Sequence, residues 1–348
     1  MRPHLTIPGK LVPGDKVAVM SPSFAAPGPF PEVHEVAMTR LREEIGLEPM
    51  EYPTTRQLGA SPQARAADLM AAFADPDIKA LLATVGGDDQ ITVLPHLDPE
   101  VAQANPKAFL GYSDNTNLLN WLWYHGVAGL HGGGTMERLG RAGGLHPVST
   151  ASLRAALFDG GDLQLHQVDR FCEVELSWAD PEGLRYPAPT SPAPGWLWHR
   201  ADRVVTGPTW GGNLEILEWN LAVGRWIRPP EDYAGCVLIL ETSEELPSSE
   251  EVFRILRNMG ERGLLAQFPA VVFATAKATS IDRPVSPDKR EPYRIAQRDA
   301  VIAAFEAYNP EAMIVFNVDF GHTDPQWILP YGGTMTVDGP AGTITASY

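Results

Sequence analysis

The sequence predicts an α/β protein: an N-terminal doubly wound parallel sheet, then a second α/β domain built on a mixed sheet. Three observations carry this. Up to Thr135, short apolar runs alternate with helix-patterned segments. Those runs are continuous rather than two-residue alternating, as in strands covered on both faces. The chain has 348 residues, room for about two domains on the usual scale of roughly 100–200 residues each.

The elements follow in order. "KVAVMSP" is a short buried strand. "PEVHEVAMTRLREEIG" places Val33, Val36, Ala37, Leu41 and Ile45 on one helical face and stops at Gly46. "EPMEYP" is a weak strand. Ser61 and Pro62 read as the N-cap and first residue of a helix running through Leu69, Met70 and Phe73. "DIKALLATVGG" is a strand closed by two glycines, "QITVLPHL" a short helix, and "KAFLGYSD" a strand. "NTNLLNWLWYHG" is a helix and "VAGLHGGG" a strand. This is the flavodoxin-like arrangement, in which ligands bind beyond the carboxyl ends of the strands. The ends lie at Ser21–Ser23, Gly86–Asp88, Ser113–Asn115 and His131–Gly134, on one edge of the sheet.

The first domain spans 1–165. The proline-rich stretch containing "RYPAPTSPAPGWLW" makes 166–200 a connector. From 201 to 348 come "TGPTWGGNLEILEWN", strand "GCVLILE", helix "SEEVFRILRNMGERG", strand "AVVFAT" and helix "YRIAQRDAVIAAFEAY". Strand "AMIVFNVDFGH" and a hairpin in "GTMTVDGPAGTITASY" complete the chain.

Composition narrows the function. A formal charge of −16 disfavours a nucleic-acid polymer or an anionic membrane as partner. No apolar run reaches membrane-spanning length and the N-terminus lacks a secretory h-region, so a cytoplasmic protein is expected. The two cysteines, Cys172 and Cys236, lack metal-site spacing. No nucleotide-phosphate or zinc-protease motif is present. No metal or cofactor is expected.

What remains is Ser113, at a strand-to-helix turn. A serine there caps a helix or serves as a nucleophile exposed beside the helix N-terminus. Asn115 stands where a lipase-type elbow has its second glycine. Two further strand ends favour the nucleophile. Glu241 follows four apolar residues, with Glu244 and Glu245 as competing carboxylates, and His322 lies in a glycine–proline turn after a buried strand. A serine, a base and an orienting carboxylate are what nucleophilic acyl transfer requires.

"SPQARAADLMAAFADPDIKALLATVGGDD", "GYSDNTNLL", "LILETSEE" and "VDFGHTDPQWILPYG" together resemble the LD-carboxypeptidase family of serine peptidases, in particular its microcin C immunity branch. The likeness spans about residues 10 to 335. It implies a Ser113–Glu241–His322 triad, an oxyanion hole from the Gly86, Gly87 and Asp114 backbone amides, and a homodimer. It further implies cleavage of an amide in a small peptide or a peptidyl- or aminoacyl-nucleotide, with murein tetrapeptides as the alternative. Asn213 is a substrate contact or a helix cap. Trp210, with Trp196 and Trp198, stacks on a planar substrate group or packs in the core. His131, in "HGGGT" where the family shows His-Gly-Pro, is a pocket wall or substrate contact. Lys277, Arg138 and Arg294 are candidate cations for a substrate carboxylate. A small-ligand-binding protein on the same scaffold is the competing class.

Overall fold

The computed structural model describes residues 4–348. The first sheet is built from β1 (Lys16–Met20), β2 (Glu48–Glu51), β3 (Ile78–Ala83), β4 (Ala108–Gly111) and β5 (Gly129–His131). These five run parallel in the order β5-β4-β3-β1-β2. Both faces of β1 are buried. Val17 and Val19 pack with Ala37, Leu41 and Ile45 on one side, Ala18 and Met20 with Leu69 and Phe73 on the other. This double burial is why the strand sequences are continuously apolar. Ser61 caps helix Pro62–Ala74 as expected, accepting from the Ala64 N–H at 3.2 Å. The expected helix in "QITVLPHL" is instead two 3₁₀ turns, Gln90–Thr92 and Leu94–His96, because Pro95 lacks the N–H a continuous helix needs.

After β6 (Asp162–Leu165) the connector forms a two-stranded ribbon, β7 (Arg170–Phe171) and β8 (Ser191–Pro192), then β9 (Leu197–His199). Next come β10 (Val204–Asn213), β11 (Val237–Glu241), β12 (Ala270–Ala274) and β13 (Met313–Val318), a parallel core of four strands. β14 (Leu329–Tyr331), β15 (Thr334–Asp338) and β16 (Thr343–Ser347) close the chain. The second sheet has the mixed order β6-β16-β15-β10-β11-β12-β13-β9.

Two strands cross the sequence-based boundary. β6 pairs antiparallel with β16 in the second sheet, and β14 pairs antiparallel with β5 in the first. β14 is buried throughout, and the edge of β5 supplies its backbone partners. The exchange ties the two halves together, as does one hydrophobic core continuous across them. Within it Trp123 stacks on Tyr233 at 5.0 Å and Trp210 on Phe268 at 5.8 Å. The carboxyl ends of β4 and β11, one from each sheet, therefore lie close together: the Asn213 N–H beside Glu241 donates to Thr116 Oγ1 at 3.0 Å. Among the described residues no helix is long and apolar enough to cross a membrane.

Candidate active site

Ser113 lies two residues beyond β4 and has φ +59°. For a non-glycine residue this left-handed conformation costs of order 1–3 kcal/mol and needs support from its surroundings. The support is visible. Asn115 Nδ2 donates to the Val85 and Tyr112 carbonyls, each at 3.1 Å, and Asn115 Oδ1 accepts from Gln90 Nε2 at 2.8 Å. Gln90 Oε1 in turn accepts from the Leu118 N–H at 2.9 Å. The buried Asp114 carboxylate accepts from Ser23 Oγ, from the Gln90 N–H at 2.9 Å and from Asn117 Nδ2 at 2.8 Å. Asn115 thus fastens the elbow where a second glycine would have left it plain. The close approach is accommodated at Gly111 instead, where a Cβ would fall 2.7 Å from Asn115 Cβ. Ser113 does not cap the helix. It opens a 3₁₀ turn, Ser113–Asn115, that leads into helix Thr116–Tyr124.

The Gly86–Gly87 pair at the end of β3 faces this turn. A Cβ on Gly86 would lie 2.9 Å from Ser113 Oγ and 3.5 Å from the Asp114 nitrogen. One on Gly87, at φ +154°, would lie 2.1 Å from Ser23 Oγ. Only glycine lets the two backbones come this close. The first amides of a helical turn lack intrahelical acceptors, and the Asp114 nitrogen lies in this close approach between the turn and the Gly86 backbone.

From the second sheet, Glu241 ends β11 fully buried, and its Oε2 lies 2.5 Å from His322 Nδ1. Gly321 makes room for that contact, since a Cβ there would sit 3.0 Å from Glu241 Cβ. The Tyr112 and His322 rings are 5.0 Å apart, which brings the imidazole to the neighbour of Ser113. Arg138 holds the His322 turn in place by donating to the Gly321 carbonyl and the Tyr112 hydroxyl, each at 3.2 Å. On its other side, His322 Nε2 is 3.1 Å from Glu244 Oε2. Burial opposes a charge on this ring, but the two carboxylates outweigh it and hold its pKa well above the usual value. Burial likewise pushes the Glu244 carboxyl up, yet His322 prevails and holds it down at about 2.

The remaining candidates divide. Asn213 ends β10 beside Glu241 in register. Its Oδ1 caps helix Leu214–Val223 by accepting from the Ile216 N–H at 3.0 Å, while its Nδ2 is buried without a hydrogen-bond partner among the described residues. The cap and the contact are therefore compatible. His131 is buried between the rings of Tyr112 and Phe320, and desolvation drives its pKa down to about 4, so it backs the site as a neutral ring. Trp210 is not in the cleft: it is fully buried in the core and donates from Nε1 to Asn120 Oδ1 at 2.9 Å. Its alternating position on β10 points it away from Asn213. The three candidate cations are all engaged: Lys277 with Glu175, Arg138 with Asp324 at 3.3 Å, and Arg294 with Glu173 at 2.7 Å.

Sequence reasoning did not find Tyr112, Gln90 or Glu215. The last is held by the Ser243 N–H at 2.9 Å and hydroxyl at 2.7 Å, while burial and the Glu241 charge push its pKa up to about 7. Tyr112 had a signal, as the neighbour of the exposed serine. Gln90 and Glu215 had none, because their roles come from contacts distant along the chain.

Residues 17–132 match the family model described as the LD-carboxypeptidase N-terminal domain, and residues 206–337 match the LD-carboxypeptidase C-terminal domain. A Treponema pallidum protein carrying a carboxypeptidase name is 27% identical over 95% of this chain and 92% of its own length. The Escherichia coli microcin C7 self-immunity protein MccF is 24% identical, covering 76% of this chain and 72% of its own length. A Bacillus subtilis protein named for murein peptide carboxypeptidase activity is 26% identical over 95% of this chain and 91% of its own length. The solved structure of MccF in complex with aspartyl sulfamoyl adenosine superposes with a TM-score of 0.84 at 21% identity, over 99% of this chain and 98% of that one. This last likeness speaks to the fold.

Proposed function

This chain belongs to the LD-carboxypeptidase family, and from that premise we propose that it is a serine hydrolase cleaving an amide-type bond in a small aminoacyl- or peptidyl-nucleotide. One observation carries the reading. A left-handed Ser113 stands against the Gly86 backbone while a Glu241–His322 pair, 2.5 Å apart, reaches the same cleft from the other sheet.

In this mechanism His322 Nε2 takes the Ser113 proton as Oγ bonds to the substrate carbonyl carbon. The Gly86, Gly87 and Asp114 amides hold the resulting oxyanion, a contribution of about 3–4 kcal/mol per donor in comparable enzymes. Collapse breaks the C–N bond, and the imidazolium gives its proton to the departing nitrogen. Water, deprotonated by the same ring, then attacks the acyl ester, releasing a carboxylate and restoring the serine. Glu241 fixes the tautomer with Nδ1 protonated and stabilises the charged ring. Glu244 Oε2 lies 3.1 Å from Nε2, so the imidazole must part from that carboxylate before it takes the serine proton.

The MccF likeness supports the nucleotide substrate, and the likeness to the murein peptide carboxypeptidase supports a murein tetrapeptide as the second reading. Product masses from a mixed panel of aminoacyl-sulfamoyl adenosines and murein tetrapeptides separate them. The expected result is release of sulfamoyl adenosine and the free amino acid. Release of the terminal D-alanine alone favours the murein reading. No product from either set rejects the hydrolase reading and leaves a binding protein.

A further inference from the structure

The contact between Glu244 and His322 has a chemical consequence. A general base must present a bare Nε2 to the serine, yet here that nitrogen lies 3.1 Å from a carboxylate oxygen. Among the described residues no hydrogen bond joins the ring to Ser113. Glu244 is less enclosed than Glu241: its side chain is 45% exposed against none, although the Oε2 that faces His322 is buried. It sits in the loop after β11, outside any strand pairing, and its carboxylate is held by its own backbone N–H and by His322. The charges facing it are His322 and Lys277, and Lys277 is already paired with Glu175. Around His322 itself stand Glu241, Glu244, neutral His131 and Tyr112, with Arg138 behind at the Gly321 carbonyl.

Among the described residues, the cations nearest the site are already paired. Lys277, Arg138 and Arg294 are each committed to a carboxylate, and Arg283 pairs with Glu245 at 2.7 Å. A half-exposed anion beside the reacting centre, whose present partner is the catalytic imidazole, is suited to exchanging that partner for a cation on the substrate. The two substrate readings differ at this point. An aminoacyl-nucleotide carries a free ammonium on the carbon next to the scissile carbonyl, whereas a murein peptide carries an acylated nitrogen there.

We propose that Glu244 is a specificity-determining residue that binds the α-ammonium of an aminoacyl substrate and, in doing so, releases His322 Nε2 toward Ser113. This rests on the hydrolase reading for its second half only. Binding selectivity follows from the Glu244 carboxylate alone, and turnover follows from the freed imidazole.

Calorimetry separates the two. Alanyl-sulfamoyl adenosine and its N-acetyl derivative are titrated into the Ser113→Ala protein and into Ser113→Ala with Glu244→Gln. A charge-assisted hydrogen bond predicts that the free ammonium binds about 10- to 100-fold more tightly, a preference reduced to within about threefold by Glu244→Gln. In the Ser113 background, kcat/KM shows the same selectivity and the same loss. With the acetylated substrate, Glu244→Gln moves the rising limb of the pH profile to lower pH, because one of two carboxylates raising the His322 pKa is gone. Equal binding of the two ligands, or a preference that survives Glu244→Gln, overturns the proposal. A preference that is lost in the double variant, with no turnover by the unmodified protein, upholds Glu244 and rejects the hydrolase reading.

Discussion

Ser113→Ala lowers kcat by about 10⁴-fold or more, the scale seen when a triad nucleophile is removed, and leaves the thermal midpoint nearly unchanged. The two halves of this result have separate causes. In the proposed mechanism the hydroxyl is the attacking group, and its loss removes the nucleophile. It is not a helix cap, since Ser113 lies at φ +59° at the head of a 3₁₀ turn, so its removal breaks no capping bond. Alanine bears the same left-handed strain as serine. Glycine does not, and Ser113→Gly is expected to be equally inactive yet more stable by about 1 kcal/mol in denaturant unfolding. A capping serine would give the opposite pattern: a stability loss of about 1 kcal/mol with activity retained.

Glu241→Gln lowers kcat by about 10³–10⁴-fold with the fold intact. The side chain is fully buried, and its Oε2 accepts from His322 Nδ1 at 2.5 Å. An amide of the same shape keeps the packing but can offer its N–H₂ to Nδ1, which turns the ring to the tautomer with its proton on Nε2. That tautomer cannot receive the serine proton. Steady-state kinetics on one substrate, with circular dichroism as the check on folding, measures this. A larger loss from Glu244→Gln on an N-acetylated substrate would mean that the two carboxylates have exchanged roles.

The sequence made the parallel sheet legible because burial on both faces leaves unbroken apolar runs, as Val17 through Met20 illustrate. It made Ser113, Glu241 and His322 visible because each is a polar residue at or just beyond the carboxyl end of such a run, where packing gives it no reason to be. Exchange of β6 and β14 between the sheets left no local trace, since a short buried strand reads alike whichever edge receives it. The placement of Trp210 was similarly hidden: its neighbours Tyr233 and Phe268 are brought to it only by the fold. The resemblance singles out Asp114 for its backbone amide, yet its carboxylate also ties the elbow to Ser23, Gln90 and Asn117. Those bonds link residues up to 91 positions apart, a separation at which residue type carries no signal. Glu244 was visible as one of several acidic residues, and only geometry distinguishes it by placing it on His322.

The most direct measurement of the central claim is the mass of the covalent intermediate. Alanyl-sulfamoyl adenosine is mixed with the protein, the reaction is quenched in acid within the first turnover, and the digested peptides are mapped. The account predicts an added alanyl group on the peptide containing Ser113, absent from Ser113→Ala. Product formed at full rate by Ser113→Ala, or an alanyl adduct on another residue, would contradict it.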